Sequence, residues 1–194
     1  MRLLMVAPPG AGKGTQATQL AAHYGIAHLS SGDLFRREVQ AGTPIGEEAA
    51  AYLSRGDLVP DRLVLEMLAR PILEAAARGG YVLDGFPRTL SQAEEAHRVA
   101  QQVSGVELQA VVHLQVGRDE LRRRLLARAR REGRGDDTES VIGHRLDVYD
   151  SETAPMLEFY AARDLVVDVD GERPVPEVFG AIVGAVDALR AGLA

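Results

Sequence analysis

A glycine-rich segment near the beginning of the chain carries the clearest chemical signal in the sequence. Residues 9–15 read Pro-Gly-Ala-Gly-Lys-Gly-Thr and follow a largely apolar run. A strand, a glycine-rich turn and a helix point backbone N–H groups at one place, and the helix dipole adds positive potential, so the pattern predicts a phosphate site. Lys13 is the one lysine among 22 basic residues, the others being arginine. Its compact ammonium fits between close backbone segments more easily than the broad guanidinium fork does.

The segment departs twice from the strict phosphate-loop pattern, which is Gly, four residues, Gly-Lys and then Ser or Thr. Ala7 stands where the first glycine belongs, and Gly14 follows Lys13, so that Thr15 comes one position late. The shift removes the hydroxyl that usually holds magnesium directly. The spacing therefore disfavours a generic phosphate-loop GTPase or ATPase, while the phosphate site remains the prediction.

A second segment places a carboxylate and an arginine close together. Residues 84–89 read Asp-Gly-Phe-Pro-Arg-Thr, and Asp84 ends a short apolar run. Ligands of open α/β sheets bind at the carboxyl edge of the strands, so Asp84 is a candidate for holding the waters around a magnesium ion. The alternative for Asp84 is a helix cap or a turn residue. Arg88 has the fork geometry that clamps a phosphate.

Arginine is concentrated in the second half of the chain, where eight arginines lie between residues 118 and 134. A bound polyanion explains such a cluster, and so does a solvated helix face, which we expect to account for about half of these residues. Arg145 is a different case, because it falls between Val141 and Tyr149 inside the apolar stripe of a predicted helix. A buried arginine needs a partner, either a bound phosphate or a carboxylate of the core.

The elements that position these residues follow from hydrophobic periodicity, in which apolar runs predict strands and i, i+3, i+4, i+7 spacing predicts helices. The strand runs are 3–6, 81–83, 110–116 and 165–169, and the helical stretches are 13–24, 89–102, 119–131 and 174–189. Buried strands that alternate with helices predict a parallel sheet with helices on both faces, an α/β fold. Two excursions interrupt the rhythm, a helical stretch over 30–59 and a polar loop over 128–138. Such excursions often cover a ligand.

Composition narrows the class of protein further. The 194 residues fit one domain with a substantial core, since 46% of them are apolar. No apolar run is long enough to cross a bilayer, and the net charge of −6 argues against a nucleic-acid scaffold. The absence of cysteine excludes disulfides and thiolate metal sites and fits a reducing cytoplasm. The five histidines have no metal-ligand spacing and are expected to be structural or exposed; they are His23, His28, His97, His113 and His144.

Together these motifs resemble those of the adenylate kinases over nearly the whole chain. Residues 9–15 are similar to that family's phosphate loop, in which Gly-Thr after the lysine is usual. Residues 84–89, with Gln92, resemble its central signature. Residues 31–36 and 56–60 resemble the beginning and the end of its nucleoside-monophosphate-binding (NMP-binding) insertion.

The resemblance implies a three-layer phosphate-loop fold with a central parallel five-stranded sheet and a cis bond before Pro87. The stretch 128–137 resembles the lid of short-form adenylate kinases, whereas the long form carries a larger insertion, often with a Cys-rich zinc site. Because this chain has no cysteine and no such insertion, no structural zinc is expected. The implied organisation is a core of residues 1–29, 60–127 and 138–194, an NMP-binding insertion of residues 30–59 and a short lid of residues 128–137.

The resemblance also implies roles for individual residues. The donor ATP would be held by Gly10, Ala11, Gly12, Lys13, Gly14, Thr15, Arg128 and, mainly through its main chain, Arg173. The acceptor AMP would be held by Ser31, Arg36, Asp57, Leu58, Val59, Gly85, Phe86, Pro87, Arg88, Gln92, Arg134 and Arg145. The implied catalytic residues are Lys13, Arg88, Arg128, Arg134 and Arg145, with Asp84 holding Mg²⁺ through water.

Gln92 and Ser31 bear on the choice of base. A Gln side chain can pair with the ring nitrogen and the amino group of adenine. The adenylate kinases have Gln at the position of Gln92 and commonly Thr at that of Ser31, whereas Asn and Ala are typical there in the related UMP/CMP kinases. AMP is therefore the favoured acceptor. Taken alone, Gln92 would be read as an exposed helix residue.

The activity implied is reversible phosphoryl transfer from Mg·ATP to AMP, giving two ADP, in a cytoplasmic monomer that serves adenine nucleotide homeostasis. Its partners would be ATP, AMP and ADP, without nucleic acid or membrane. A phosphate-loop NTPase switch explains Lys13 and Asp84 but not Gln92 or Arg36. A UMP/CMP kinase is disfavoured by Ser31 and Gln92. A non-catalytic nucleotide-binding module is disfavoured by the arginine set.

Overall fold

A sheet of five parallel strands forms the centre of the molecule, whose computed structural model describes residues 1–132 and 138–192. The spatial order of the strands is β2-β3-β1-β4-β5, and each neighbouring pair is parallel. The strands are β1 (Arg2–Val6), β2 (Ala27–Ser30), β3 (Tyr81–Asp84), β4 (Ala110–Gln115) and β5 (Val166–Asp170). The α/β fold class expected from the sequence, with its parallel five-stranded sheet, is thereby confirmed.

Helices connect the strands and cover both faces of the sheet. They are α1 (Lys13–Tyr24), α2 (Ser31–Ala41), α3 (Pro44–Arg55), α4 (Asp61–Ala77), α5 (Leu90–Gln102), α6 (Arg118–Glu132), α7 (Glu139–Val148), a π-helical turn (Tyr149–Thr153), α8 (Pro155–Ala161) and α9 (Val175–Gly192). No helix within residues 1–132 and 138–192 is both long and apolar enough to cross a membrane.

Local chemistry sets several helix ends. The hydroxyls of Thr43, Thr89 and Thr138 accept hydrogen bonds from backbone N–H groups three residues later, which begins α3, α5 and α7. Gly25 and Gly42 end α1 and α2 in the left-handed conformation that glycine adopts without a steric penalty.

The strands are apolar along their length because helices pack on both sides of them. Successive residues of a strand point to opposite faces. Leu3 and Met5 of β1 accordingly join a core cluster with residues of α1 and α9, while Leu4 and Val6 join a cluster with residues of α4 and α8. Burial on both faces explains why β1 reads as a continuous apolar run rather than as an alternating one.

The two excursions from the core differ from each other. Residues 30–59 fold into α2 and α3, and a third apolar cluster containing Phe35, Ala49 and Leu63 packs them against α4. The prediction of a polar loop over 128–138 was partly wrong, because α6 continues to Glu132. The Arg, Ala and Glu residues of 128–132 are strong helix formers, which explains the extension. The rest of that stretch up to residue 137 lies outside the described residues.

Candidate active site

The glycine-rich segment joins β1 to α1 at the carboxyl edge of the sheet, as predicted. Gly10 and Gly12 have φ angles of 89° and 90°, a region in which glycine is at home. Gly12 is the N-cap of α1 and has no side chain to cap the first N–H groups of the helix, which leaves that end suited to an anion. Lys13 is the first residue of α1.

Ala7 is accommodated in place of the first glycine of the strict pattern. Its φ angle is not positive, and its side chain is buried in the cluster that α1 and α9 share. An alanine methyl therefore creates no backbone strain at the beginning of the loop. The close approach that requires glycine lies at Gly10, where a Cβ would come within 2.8 Å of Leu125 Cγ.

Lys13 and Asp84 form an ion pair across two neighbouring strands. Strand pairing places Met5 beside Asp84, so the carboxylate lies next to the loop that follows β1. Lys13 Nζ is 3.3 Å from Asp84 Oδ1, and both side chains are largely buried. Burial favours the neutral acid, but the Lys13 ammonium outweighs it and brings the pKa of Asp84 to about 2. Burial lowers the pKa of Lys13, and the Asp84 carboxylate opposes that change.

A cleft of about 100 Å³ brings Lys13 together with two of the predicted arginines, Arg88 and Arg145. The three side chains come from α1, from the segment after β3 and from α7. Burial lowers the pKa of Arg88, and the nearby Arg145 acts in the same direction, although a guanidinium stays charged in proteins. Cationic groups that converge on one cleft make a site suited to a phosphate. Arg145 is half-buried and lines this cleft, and its binding of a phosphate stays a prediction.

A second crevice adjoins the first and collects most of the predicted acceptor residues. Gly85 and Arg88 line both spaces. The residues that line the second crevice include Ser31, Asp57, Leu58, Val59, Gly85, Arg88 and Gln92. Arg36 lies on the adjoining helix α2, where its guanidinium pairs with Asp33.

Hydrogen bonds fix the segment between β3 and α5. Arg88 Nε donates to the Gly85 carbonyl at 2.7 Å, and Ser31 Oγ donates to the same carbonyl at 2.8 Å. Gly85 has a φ of 90°, and a Cβ there would overlap Ser31 Oγ and approach Arg88 Nη2 to 2.9 Å. The Phe86–Pro87 bond is cis, as expected. The segment thus turns sharply and brings Arg88 over the cleft.

Gln92 is buried, in contrast to the exposed helix residue that its type alone would suggest; 6% of it is accessible. Its Oε1 accepts from the Arg88 backbone N–H at 2.7 Å, and its Nε2 donates to Asp61 Oδ1 at 2.5 Å. Asp61, the first residue of α4, was not among the predicted site residues. It follows the last motif of the insertion by one residue, but its partner is 31 residues away, so only the fold reveals the contact.

Other predicted residues lie apart from the cleft around Lys13. Arg128, on α6, and Arg173, two residues before α9, do not line this cleft. Arg173 Nε donates to Asp170 Oδ2 at 3.1 Å, and its side chain is more than half exposed. Arg134 lies outside the described residues.

The insertion touches α7 close to the cleft. His144 Nε2 and Asp57 Oδ1 are 2.7 Å apart, and hydrogen bonds from Arg55 and His144 hold the pKa of Asp57 below its ordinary value. Beside them, a Cβ on Gly56 would come within 2.5 Å of Arg145 Cγ. Arg145 therefore packs against the end of α3, and the acceptor side of the site is held against α7.

The surroundings of Asp84 suit a metal ion held through water. His28 Nε2 is buried without a hydrogen-bond partner and lies 3.8 Å from Asp84 Oδ2, too far for a direct bond. Two polar groups at this spacing can share a bridging water. In the described part of the chain, no group of three or more His, Cys, Asp or Glu residues is arranged around a metal position. Mg²⁺ usually keeps several water ligands beside phosphate oxygens, so the Asp84 carboxylate would suit such an ion by holding its waters.

Comparison with known proteins places this site in a family. Residues 5–165 match the family model described as adenylate kinase. The chain is 49% identical over 189 residues to the adenylate kinase of Nocardioides sp., which covers 97% of this chain and 98% of the relative. It is 47% identical over 178 residues to that of Thermobifida fusca, covering 92% and 94% of the two chains. It is 45% identical over 186 residues to that of Kocuria rhizophila, covering 96% and 98%. This chain belongs to the adenylate kinase family.

Proposed function

We propose that this chain catalyses the reversible transfer of the γ-phosphoryl group of Mg·ATP to AMP, giving two ADP, and so contributes to adenine nucleotide homeostasis. One observation carries the proposal: the cleft of Lys13, Arg88 and Arg145 adjoins the crevice that contains Gln92, and Arg88 lines both. A donor phosphate in the first space and an acceptor phosphate beside Arg88 would meet where the cationic groups converge.

The donor side is proposed to hold the ATP phosphates. Backbone N–H groups at the beginning of α1, the Lys13 ammonium and Thr15 would bind them, while the glycines give the loop its shape. Arg128 is proposed for the ATP phosphates, Arg134 for the transferring group and the acceptor, and Arg173, through its main chain, for the donor adenine. Residues 10–15 are the proposed ATP loop.

The acceptor side is proposed to hold AMP between the insertion and the segment after β3. Arg36 would release Asp33 and bind the AMP phosphate instead. Arg88 would bind both this phosphate and the transferring group. Gln92 and Ser31 would face the base. The remaining proposed contacts are made by Asp57, Leu58, Val59, Gly85, Phe86, Pro87 and Arg145.

The reaction needs no general base from the protein. The second pKa of a phosphate monoester is about 6, so an AMP phosphate oxygen is already ionised near neutral pH. It forms the new P–O bond, the bond between the γ-phosphorus and the β-phosphate oxygen breaks, and the electron pair leaves with ADP. The protein positions both reactants and offsets the charge that spreads over the transferring group, which is the work of Lys13, Arg88 and Arg145. Magnesium, when bound with ATP, supplies further charge neutralisation, and Asp84 is proposed to hold its water ligands.

The insertion 30–59 and the lid 128–137 are proposed to close over the two nucleotides, while the remaining residues form the core. Closure excludes water, which would otherwise accept the phosphoryl group. A monomer, the usual state of the adenylate kinases, is proposed for this chain, and the absence of cysteine fits a cytoplasmic protein. Sedimentation equilibrium and cell fractionation test these two expectations.

One assay tests the proposed function directly. Purified protein is mixed with Mg·ATP and, separately, with AMP, GMP, CMP, UMP or no acceptor, and the diphosphates are separated and counted. We expect AMP to support rapid formation of two ADP per ATP, with little ATP cleavage when the acceptor is omitted. Preference for CMP or UMP would instead indicate a UMP/CMP kinase. Vigorous ATP cleavage without any acceptor would indicate an NTPase.

A further inference from the structure

The carboxamide of Gln92 is held in one orientation by its two neighbours. Its Oε1 accepts from the backbone N–H of Arg88, and its Nε2 donates to the carboxylate of Asp61. A backbone N–H can only donate and an ionised carboxylate can only accept. The two contacts therefore agree on which end of the carboxamide is oxygen and which is nitrogen.

This orientation leaves a defined pair of groups for a ligand. One lone pair of Oε1 and one N–H of Nε2 remain after the contacts with Arg88 and Asp61. A 6-amino purine complements them, because its amino group donates and its ring N1 accepts. A 6-oxo purine presents the reverse pattern, an accepting oxygen and a donating N1–H. Reading that pattern would require the carboxamide to turn over, which would place NH₂ against the Arg88 N–H and oxygen against the Asp61 carboxylate.

Asp61 reaches Gln92 from outside the acceptor crevice. The crevice that contains Ser31 and Arg88 is lined by Gln92 but not by Asp61. Asp61 instead lines a larger, mostly apolar cleft between α4 and α5, which Gln92 also borders. The carboxylate thus lies behind the carboxamide and acts on a ligand through Gln92.

We propose that Asp61 is a specificity-determining positioning residue that fixes the Gln92 carboxamide to accept a 6-amino purine monophosphate and to reject a 6-oxo purine monophosphate. The inference rests on the proposed function, since it requires the acceptor base to lie beside Gln92. It adds a residue that does not touch the nucleotide. It also explains why the Gln92 carboxamide, which in principle can pair with either purine, would pair with the 6-amino purine alone.

Asp61 has a second property that the test must separate from this role. It is the acidic residue in the first turn of α4, where a negative charge is favourable. Loss of that charge would loosen the helix end and weaken the use of AMP and of IMP alike. Loss of the hydrogen bond from Gln92 to Asp61 would instead change the ratio of AMP use to IMP use. The reason is that the cost of turning the carboxamide over falls only on the 6-oxo purine.

The experiment compares AMP with IMP, which reverse the hydrogen-bonding pattern at N1 and the 6-position. Values of kcat/KM are measured for both acceptors with wild type, Asp61→Asn and Asp61→Ala, with ADP and IDP separated by chromatography. An Asn side chain can rotate its amide to pair with either orientation of the Gln92 carboxamide. An Ala side chain makes no hydrogen bond to that carboxamide and so favours neither orientation. Thermal melts accompany each variant. The matched control is Glu66→Gln, which removes an exposed carboxylate from the same helix away from the cleft that Gln92 borders.

We expect the AMP-to-IMP ratio of kcat/KM to fall roughly fivefold or more in both Asp61 variants, the effect of relieving one mismatched, partly buried hydrogen bond, and to stay unchanged in Glu66→Gln. A smaller fall in variants that remain folded and use AMP overturns the inference alone. If Asp61→Ala does not fold, the isosteric Asp61→Asn decides. Failure of the wild-type chain to form ADP from AMP would overturn the proposed function, and this inference with it.

Discussion

The ammonium of Lys13 lies 3.3 Å from the carboxylate of Asp84, across the edge where β1 and β3 run side by side. The pair keeps the one lysine of the chain in the cleft that Arg88 and Arg145 also line. It explains why a carboxylate lies beside a cleft that we propose for phosphates, where it contacts Lys13. Asp84 balances part of the positive charge of the cleft and stays ionised, with a pKa of about 2.

Replacement of Lys13 by arginine should preserve the charge and abolish most of the activity. The loop cannot widen for a guanidinium, because Gly10 already packs closely against Leu125. We expect kcat for ADP formation from Mg·ATP and AMP to fall by at least about tenfold, since a planar fork does not replace a compact ammonium in an enclosed site. Arg70→Lys, at an exposed position of α4, is the reverse exchange and should have no effect. Activity of Lys13→Arg close to that of wild type would mean that the site does not require lysine rather than arginine at this position.

The ion pair should make Asp84 a source of stability that is lost in acid. The folded pKa of about 2 lies below the ordinary value of 3.8. A depressed carboxyl pKa stabilises the fold above the unfolded pKa and ceases to do so as the pH falls through the folded pKa. The shift corresponds to about 2 kcal/mol at neutral pH, of which about half should be gone near pH 3.

Chemical denaturation of wild type and Asp84→Asn between about pH 6 and pH 3 measures this contribution. The difference in unfolding free energy between the two proteins should shrink as the pH falls below about 4. A difference that is independent of pH would show that Asp84 is not held ionised by its surroundings.

Gly85→Ala should disturb the acceptor side of the site through a steric clash. A methyl group there would overlap Ser31 Oγ and lie 2.9 Å from Arg88 Nη2. Gly105→Ala is a matched control, because Gly105 has a similar φ of 83° but no atom within 4 Å of its Cβ position. We expect Gly85→Ala to lower the free energy of unfolding by about 1–3 kcal/mol more than the control does, the usual effect of overpacking.

The same exchange should raise the KM for AMP more than that for ATP, because Ser31 and Arg88 belong to the proposed acceptor side. Steady-state kinetics with each nucleotide varied in turn separates the two constants. Equal stability and an equal KM for AMP in the Gly85 and Gly105 variants would refute the assigned contact.

The sequence was most informative about structural features that depend on residues close together along the chain. The loop around Lys13 could be predicted because strand, glycine turn and helix follow one another, and the half-buried position of Arg145 is consistent with its place in an apolar stripe. Strand β2 was harder to identify, since its four residues, Ala-His-Leu-Ser, form neither an apolar run nor a clear alternation. The parallel order of strands then placed Asp84 at the edge that the pattern had indicated.

Contacts between distant segments could not be predicted in the same way. Asp61 meets Gln92 only because the fold brings the beginnings of α4 and α5 together, and no periodicity encodes that meeting. His28 reaches Asp84 because β2 pairs with β3. In both cases the residue type was visible in the sequence, whereas its partner depended on tertiary packing.

The central claim, that cationic side chains in one cleft carry out phosphoryl transfer, is tested most directly by kcat of Arg88→Ala with saturating Mg·ATP and AMP. An arginine that stabilises the transferring group can contribute roughly 10³–10⁵ in rate, so we predict a fall of about a thousandfold or more, with Arg70→Ala unchanged. A fall of less than about tenfold in a folded Arg88→Ala protein would contradict the account.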